Sequence, residues 1–279
     1  MRKGVRVTPG RPVDLGGRRP GATHGLADRD EAAAAVEAAA ARMAEHATRL
    51  AADARRSLLV VLQGMDASGK DGTVRRCIGA LNPMMVRITS FKAPTTQELA
   101  HDFLWRVTRE LPGRGQVGVF NRSHYEDVLV VRVEGLAPEE VWRPRYEAIN
   151  AWERNLVSEG TAIVKIFLHI SREEQAERFL QRLRDPRKNW KFNVDDLAKR
   201  ERWDDYMEAY EDALQRTSTS WAPWHVVPAD HKWARDAIVT EILADTLEGM
   251  DLRYPPLAPE VRAARADLEA RLAAGADAG

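Results

Sequence analysis

A short apolar run that ends in a glycine-rich loop is the feature that most restricts the fold of this chain. The run is SLLVVLQ at residues 57–63, and GMDASGKDGT follows it at residues 64–73. A continuous apolar segment of this length is typical of a parallel strand buried on both faces. The loop has the spacing G-x-x-x-x-G-K, formed by Gly64, Gly69 and Lys70. This spacing between a strand and a helix predicts a phosphate-binding loop.

Four further apolar segments predict the other strands, at residues 84–89, 115–120, 161–170 and 224–230. Helical spacing predicts helices at residues 29–56, 69–80, 95–111, 138–158, 171–185, 231–248 and 258–273. We expect Thr95 or Thr96 to cap the third of these, and Ser171 with Glu174 to form a capping box. Strands that alternate with helices predict an α/β fold with a parallel sheet covered on both faces. Ligands of such sheets bind at the carboxyl ends of the strands.

The same pattern divides the chain into three parts. Residues 1–28 are rich in glycine and proline and are predicted to form an irregular arm. Residues 29–250 form the predicted phosphate-loop domain, with a lid at about residues 178–195. Residues 251–279 are predicted to be a helical tail.

Charge and cysteine content restrict the partners and the compartment. The 42 basic and 42 acidic residues cancel, so we expect neither nucleic acid nor a membrane surface as a partner. No apolar run approaches the roughly 18 residues of a membrane helix, and no apolar segment follows Arg18 and Arg19 as in an export signal. The single cysteine, Cys77, predicts a reducing cytoplasm and an inert packed thiol.

Two carboxylates in the glycine loop need their own explanation. Asp71 stands where a phosphate loop normally carries the Ser or Thr that binds magnesium, and Asp66 lies inside the loop. A phosphate acceptor is already ionised at neutral pH and needs no general base. A carboxylate beside it would repel it unless a divalent cation stood between them. We therefore interpret Asp66 as a magnesium ligand, directly or through water, and Asp71 as a residue that favours the helix dipole.

A polar segment, FNRSHYEDV at residues 120–128, follows the predicted third strand. Asn121 stands where related layouts carry an aspartate for magnesium. We expect Arg122 to grip a phosphate, and Glu126 or Asp127 to face the acceptor or a metal. The alternative is a polar loop whose charges pair with one another.

A basic cluster, RFLQRLRDPRKNWKF at residues 178–192, follows the predicted fourth strand. Arg178 and Arg182 share a helical face, and Pro186 ends that helix. This position predicts a closing lid whose arginines stabilise the transferring phosphoryl group and exclude water. For Trp190 we favour an anchor of the lid over a platform that stacks on a base. A solvated charged face is the alternative for the whole cluster.

Taken together, five segments resemble the family-2 polyphosphate kinases over about residues 50–250. The segments are GMDASGKDGT, SFKAPTTQELAHDFLW, FNRSHYEDV, RLRDPRKNWKF and WDDYMEAYEDAL, in this order. The resemblance implies a three-layer, thymidylate-kinase-like phosphate-loop fold with a helical lid. It implies transfer of the terminal phosphate of inorganic polyphosphate to AMP or ADP, reversibly and with Mg²⁺ (Mn²⁺ as a substitute). GMP and GDP are further acceptors to expect, and the family implies a homodimer or homotetramer.

The resemblance also implies roles for single positions. The catalytic residues would be Asp66, Lys70, Arg122, Glu126 and Arg178. The phosphate- and nucleotide-binding residues would be Gly64, Ala67, Ser68, Gly69, Asp71, Gly72, Thr73, Lys92, Asn121, Arg132, Arg182 and Lys188. Magnesium would be held by Asp66, with Asn121, Glu126 or Asp127 as further ligands. The pair Asn121 and Glu126 resembles the subgroup that phosphorylates both AMP and ADP.

Two other functions stay open on the sequence. An ATP-dependent nucleoside or nucleotide kinase of the same fold would explain the loop and the lid, but Asp66 and residues 120–128 favour polyphosphate as the donor. A polyphosphate- or nucleotide-binding protein without activity would not need Lys70, Arg122 and the lid arginines together.

Overall fold

The computed structural model of the chain describes residues 5–276, and a five-stranded parallel sheet forms its centre. Its strands are β1 (Ser57–Gln63), β2 (Val86–Ser90), β3 (Val117–Asn121), β4 (Thr161–His169) and β5 (Trp224–Pro228). They lie in the order β2-β3-β1-β4-β5, with every neighbouring pair parallel. Each predicted strand is present, and the α/β class is confirmed. β1 is central and buried throughout, as its apolar run predicts.

Helices of very different length cover the sheet. They are α1 (Arg29–Asp53), α2 (Lys70–Thr73), α3 (Thr96–Leu99), α4 (Trp105–Thr108), α5 (Val130–Val133), α6 (Glu139–Trp142), α7 (Arg145–Ser158), α8 (Arg172–Arg184), α9 (Asp195–Glu201), α10 (Trp203–Thr217), α11 (Lys232–Gly249) and α12 (Pro259–Ala276). α1 packs along α11, and α11 packs on β4 and β5. α7 also packs on β4, and α10 packs on α7. Helices thus cover the sheet and enclose the core.

Three predicted helices differ from the observed ones. The predicted helix 95–111 is two short helices, α3 and α4, because Asp102 turns the chain between them by accepting the N–H of Leu104 at 3.0 Å. The predicted helix 138–158 is divided at Pro144, which ends α6 and precedes α7. The predicted helix 69–80 is α2 followed by a π-helical turn, Val74–Ile78. The prediction missed α9 and α10.

The two predicted caps have different outcomes. Thr95 forms a complete capping box with Glu98 at the start of α3. At α8 only half of the predicted box forms: the Ser171 hydroxyl accepts the N–H of Glu174 at 3.1 Å. The N–H of Ser171 instead donates to the Asp230 carboxylate at 2.8 Å. A tertiary partner has replaced the local one.

The chain outside the sheet and its helices also has a defined place. Val5 and Val7 are buried, and residues 5–7 run beside β5, where the N–H of Val7 donates to the carbonyl of Trp224 at 2.8 Å.

Burial raises the pKa of the Cys77 thiol to about 12, which agrees with an inert packed thiol. Within residues 5–276, no helix is both long and apolar enough to cross a membrane.

Candidate active site

The glycine loop lies at the carboxyl end of β1 and forms one wall of a cavity of about 570 Å³. Two positions of the loop need glycine, because their φ angles are positive and because a Cβ would lie too close to neighbouring atoms. Gly69 has φ of 106°, and a Cβ there would lie 2.0 Å from the Arg235 guanidinium. Gly64 has φ of 149°, and a Cβ there would lie 2.8 Å from the carbonyl oxygen of Leu168. The loop therefore lies tightly against β4 and α11, with its backbone free to face the cavity.

Lys70 begins α2 and lines this cavity, although its side chain is only slightly exposed. Its Nζ donates to the carbonyl oxygens of Gly64 at 2.6 Å and Met65 at 3.2 Å. Burial, together with the nearby Arg122, lowers the pKa of Lys70 to about 8. The amine is thus held at the loop, and an anionic ligand would favour its charged form.

Asp66 and Arg122 join the loop to the end of β3. Arg122 donates to the Asp66 carboxylate at 2.6 Å from a left-handed backbone conformation, φ 61°. The other Asp66 oxygen lies 3.5 Å from Nζ of Lys199, on α9. Burial raises the pKa of Asp66, but the cations around it, above all Lys70 and Arg122, lower it to about 2. Asp66 is therefore an ionised carboxylate that links the loop, β3 and α9.

Asp71 has partners in β3 and the lid rather than a capping bond. No side chain caps α2 by a hydrogen bond, although Asp71 lies in its first turn as expected. The Asn121 amide donates to the Asp71 carboxylate at 2.9 Å, and Nζ of Lys191 lies 3.6 Å from it. The dipole therefore explains only the position of Asp71, while its side chain ties the loop to the lid.

Arg178 lines the cavity, but the protein itself uses its guanidinium fully. The side chain is 5% exposed. Its acceptors are the Glu174 carboxylate at 2.8 Å and the backbone carbonyls of Ala67, Ser68, Ala229 and Asp230 at 2.6–3.0 Å. These five acceptors match the five N–H donors of arginine. In this conformation Arg178 positions the loop and has no free donor for a phosphate.

Residues of the lid, in the second half of α8 and in the segment after it, also line the cavity. Arg182 pairs with Asp196 at 3.5 Å, and Lys188 pairs with Asp185 at 2.9 Å. The predicted anchor role of Trp190 is wrong, because its side chain is 77% exposed and faces the cavity. Phe192 holds the lid instead, by packing edge-on against the buried ring of Phe179 at 5.8 Å.

The structure brings twelve of the predicted site residues to this cavity. They are Asp66, Ala67, Gly69, Lys70, Asp71, Gly72, Lys92, Asn121, Arg122, Arg178, Arg182 and Lys188. The predicted residues Gly64, Ser68, Thr73, Glu126, Asp127 and Arg132 do not line it. Gly64, Ser68 and Thr73 are buried and shape the loop from within. They act on the cavity through the backbone.

Three of the predicted residues that do not line the cavity are charged, and each has a partner elsewhere in the protein. Arg132 donates to Asp212 at 2.6 Å and to Glu208, both on α10. Asp127 lies near Arg145 and Arg106, and burial raises its pKa to about 6. Glu126 accepts a hydrogen bond from the Gln63 amide at 3.0 Å. Arg132 and Asp127 thus have protein partners and lie outside the lining of the main cavity, and their predicted phosphate and metal contacts stay predictions.

A buried polar cluster supports the segment that carries Arg122. Lys165, inside β4, pairs with Glu153 of α7 and donates to the Tyr125 hydroxyl at 2.9 Å. The Tyr125 hydroxyl in turn donates to Glu153 at 2.8 Å, and all three side chains are fully buried. The prediction missed this cluster, although a lysine in the apolar strand TAIVKIFLHI was a signal for it. Lys199 was missed with α9, and nothing local marked Arg235 as a neighbour of Gly69.

Comparisons with known proteins show which chains this one is similar to. The family model described as polyphosphate kinase 2 matches residues 26–255. An AMP/ADP-polyphosphate phosphotransferase of Meiothermus ruber is 53% identical over 206 residues, covering 74% of this chain and 77% of its own length. An ADP-polyphosphate phosphotransferase of Rhodopseudomonas palustris is 46% identical over 233 residues, covering 79% and 81%. The crystal structure of a polyphosphate kinase 2 from Arthrobacter aurescens TC1 has a TM-score of 0.90 and 45% identity, covering 95% of each chain.

Proposed function

The chain belongs to the polyphosphate kinase 2 family, and from that premise we propose that it transfers the terminal phosphate of inorganic polyphosphate to AMP and to ADP. The observation that carries the proposal is the concentration of cations around one cavity at the carboxyl end of the sheet. Lys70, Arg122, Arg182, Lys188 and Lys191 all line it. A donor and an acceptor that both consist of phosphates need this excess of positive charge.

Each side of the cavity has a distinct task in the transfer. A phosphate at the loop competes with the carbonyl oxygens of Gly64 and Met65 for Lys70 and keeps its amine charged. Arg122 and the lid cations neutralise charge on the phosphoryl group in transit, and the closed lid excludes water. The acceptor phosphate is ionised at neutral pH, so no proton has to be removed from it. With a pKa of about 2, Asp66 acts through its charge and its link to Arg122 rather than as a base.

We propose Mg²⁺ as the metal, with Mn²⁺ as a substitute. Magnesium in kinases is commonly held by one or two carboxylates and by substrate phosphates, where it neutralises the charge that develops during transfer. The donor set fits that mode: Asp66, Asp71 and Asn121 line the cavity. Within residues 5–276, no group of three or more His, Cys, Asp or Glu side chains is placed to hold an ion, so the phosphates would supply the remaining ligands.

Two further properties are proposed on other grounds. The resemblance supports a homodimer or homotetramer, which light scattering on the purified protein would measure. The single cysteine supports a reducing cytoplasm as the compartment.

A turnover assay tests the function directly. The purified protein is incubated with Mg²⁺, long-chain polyphosphate and either AMP or ADP, and the formation of ADP and ATP is followed. We expect both products, and we expect Lys70→Ala to remove most turnover while the circular dichroism spectrum stays unchanged. Transfer from ATP to a nucleoside monophosphate, without any use of polyphosphate, would contradict the proposal.

The choice between AMP and ADP is tested at Glu126. We expect Glu126→Ala to reduce kcat/KM for AMP more than for ADP, because the resemblance links this position to the use of AMP. The conservative variant Glu126→Gln keeps a partner for Gln63 and separates this effect from a local disturbance. An equal loss on both nucleotides would mean that Glu126 does not select the acceptor.

A further inference from the structure

Gln63 places an amide behind the phosphate loop. It is the last residue of β1 and directly precedes Gly64. Its backbone pairs with Phe167 of β4, and the residue is only 1% exposed. A buried amide needs hydrogen-bond partners, because it has lost its contacts with water. Gln63 does not line the main cavity, so it can influence a bound substrate only through another residue.

The amide of Gln63 is directed at Glu126. Its Nε2 donates to the Glu126 carboxylate at 3.0 Å. Its oxygen Oε1 has no hydrogen-bond partner within residues 5–276. The reversed amide would point this oxygen at a carboxylate, which when ionised accepts hydrogen bonds but donates none. Among the described residues, Glu126 is therefore the one partner of this side chain.

The orientation of the Glu126 side chain depends on this hydrogen bond. In the part of the chain from residue 5 to residue 276, no other group donates to its carboxylate and no cation forms an ion pair with it. The two neighbouring side chains have their own partners: the Tyr125 hydroxyl joins the buried cluster of β4 and α7, and Asp127 pairs with Arg145. Those contacts hold the segment on either side of Glu126, and Gln63 holds its carboxylate.

The position of this carboxylate matters because Arg122 lies nearby. Arg122 lines the cavity, whereas Glu126 does not. Burial lowers the pKa of Arg122, but the Asp66 and Glu126 carboxylates raise it above its ordinary value. Asp66 already accepts a hydrogen bond from Arg122 at 2.6 Å. A Glu126 side chain released from Gln63 would be attracted to the same guanidinium and would compete with an acceptor phosphate for it.

The phosphate loop has its own supports and does not need the Gln63 side chain. Gln175 donates to the backbone carbonyl of Asp66 at 2.9 Å, and Arg178 donates to the two carbonyls that follow it. Within the described structure, the Gln63 side chain forms no hydrogen bond to the loop residues 64–73. Loss of its amide should therefore leave the loop, and with it the binding of the donor, in place.

We infer that Gln63 is a positioning residue for the acceptor side of the reaction, because its amide holds Glu126 in the orientation that favours AMP. This role rests on the proposed function, in which Glu126 selects between AMP and ADP. It predicts that the effect of removing the Gln63 amide requires the Glu126 carboxylate. A residue that merely stabilised the sheet would act in the same way whether or not that carboxylate is present.

A double-mutant cycle with a matched control tests this role. Gln63→Met keeps the length of the side chain but removes the donor and the unpartnered oxygen, and the cycle combines it with Glu126→Ala. The control is Ser57→Ala at the other end of β1. Ser57 is also buried and shares one side-chain hydrogen bond, with Thr161 at 2.9 Å, but it does not line the main cavity. Steady-state assays on the full chain give kcat/KM for AMP and for ADP, and the KM for long-chain polyphosphate.

For Gln63→Met we expect kcat/KM to fall about tenfold more for AMP than for ADP, as the loss of one hydrogen bond to a charged group allows. In the Glu126→Ala background the same substitution should change kcat/KM for AMP by less than about twofold, because the two residues act as one unit. The KM for polyphosphate in Gln63→Met, and every value for Ser57→Ala, should stay within about twofold of the wild type, as for independent sites.

Two results would overturn the role of Gln63. One is an equal loss on AMP and ADP, and the other is a loss on AMP that is the same with and without the Glu126 carboxylate. In either case wild-type turnover with polyphosphate would leave the proposed function standing. Absence of polyphosphate turnover in the wild type would instead overturn the proposed function and the role of Gln63 together. Thermal unfolding checks that each variant is folded, and Gln63→Leu replaces Gln63→Met if the latter does not fold.

Discussion

Replacement of Arg178 separates a positioning role from direct phosphate binding. Its five donors hold one carboxylate and four backbone carbonyls, two of them in the phosphate loop. Arg178→Ala removes all five hydrogen bonds, whereas Arg178→Lys keeps the charge but has only three donors and no fork. Both variants therefore lose contacts to the loop, and Arg178→Ala loses more of them than Arg178→Lys.

The structure sets the expected size of the effect. Each of the five hydrogen bonds contributes about 0.5–1.5 kcal/mol net, so Arg178→Ala should lower the free energy of unfolding by about 4 kcal/mol. Arg178→Lys loses at least two of these bonds and should lower it by about 2 kcal/mol. For a domain of this size, about 4 kcal/mol corresponds to a fall in Tm of roughly 10 °C. The loosened loop should also reduce kcat in both variants, with little rescue by lysine.

Thermal unfolding and steady-state kinetics measure the two effects on the same preparations. A positioning role predicts that stability and kcat fall together, and that added polyphosphate restores part of the stability. A phosphate ligand would behave differently: Arg178→Ala would keep the wild-type Tm, the KM for polyphosphate would rise, and Arg178→Lys would restore most of the activity. That result would refute the positioning role of Arg178.

Two further predictions concern buried charges. Because burial lowers the pKa of Lys70 to about 8, the free enzyme should lose kcat/KM for polyphosphate above pH 8, about tenfold per pH unit. The free energy of unfolding should rise with pH between about 8, the pKa of Lys70 in the folded protein, and its ordinary value of 10.5, since the unfolded chain binds more protons in that range. A kcat/KM that stays constant up to pH 10 would contradict the burial of the amine. Glu153→Ala leaves Lys165 buried without its anion and should lower the free energy of unfolding, measured in urea, by about 3–5 kcal/mol. The double variant Glu153→Leu/Lys165→Met should cost less than Glu153→Ala, and a double variant at least as unstable as the single one would refute the pairing argument.

Much of the fold could be predicted because its signals are local. Apolar periodicity located all five strands, and the spacing of Gly64, Gly69 and Lys70 located the loop at the end of β1. The predictions failed where a distant partner or a single turn overrode the local pattern. Asp230 takes the N–H of Ser171 from the expected capping box, and Asp102 interrupts the expected helix at 95–111.

The sequence identified most residues of the candidate site, but it did not show which partner each of them contacts. The sequence by itself determined an α/β sheet, a phosphate loop and a basic lid, because periodicity and glycine spacing act within a few residues along the chain. Only the tertiary structure decided that Arg178 clamps the loop, that Arg132 faces α10 and that Asp66 meets Arg122. These partners are 56 to 111 residues apart along the chain. Side-chain contacts over such separations depend on how the strands and helices pack, which no local pattern records.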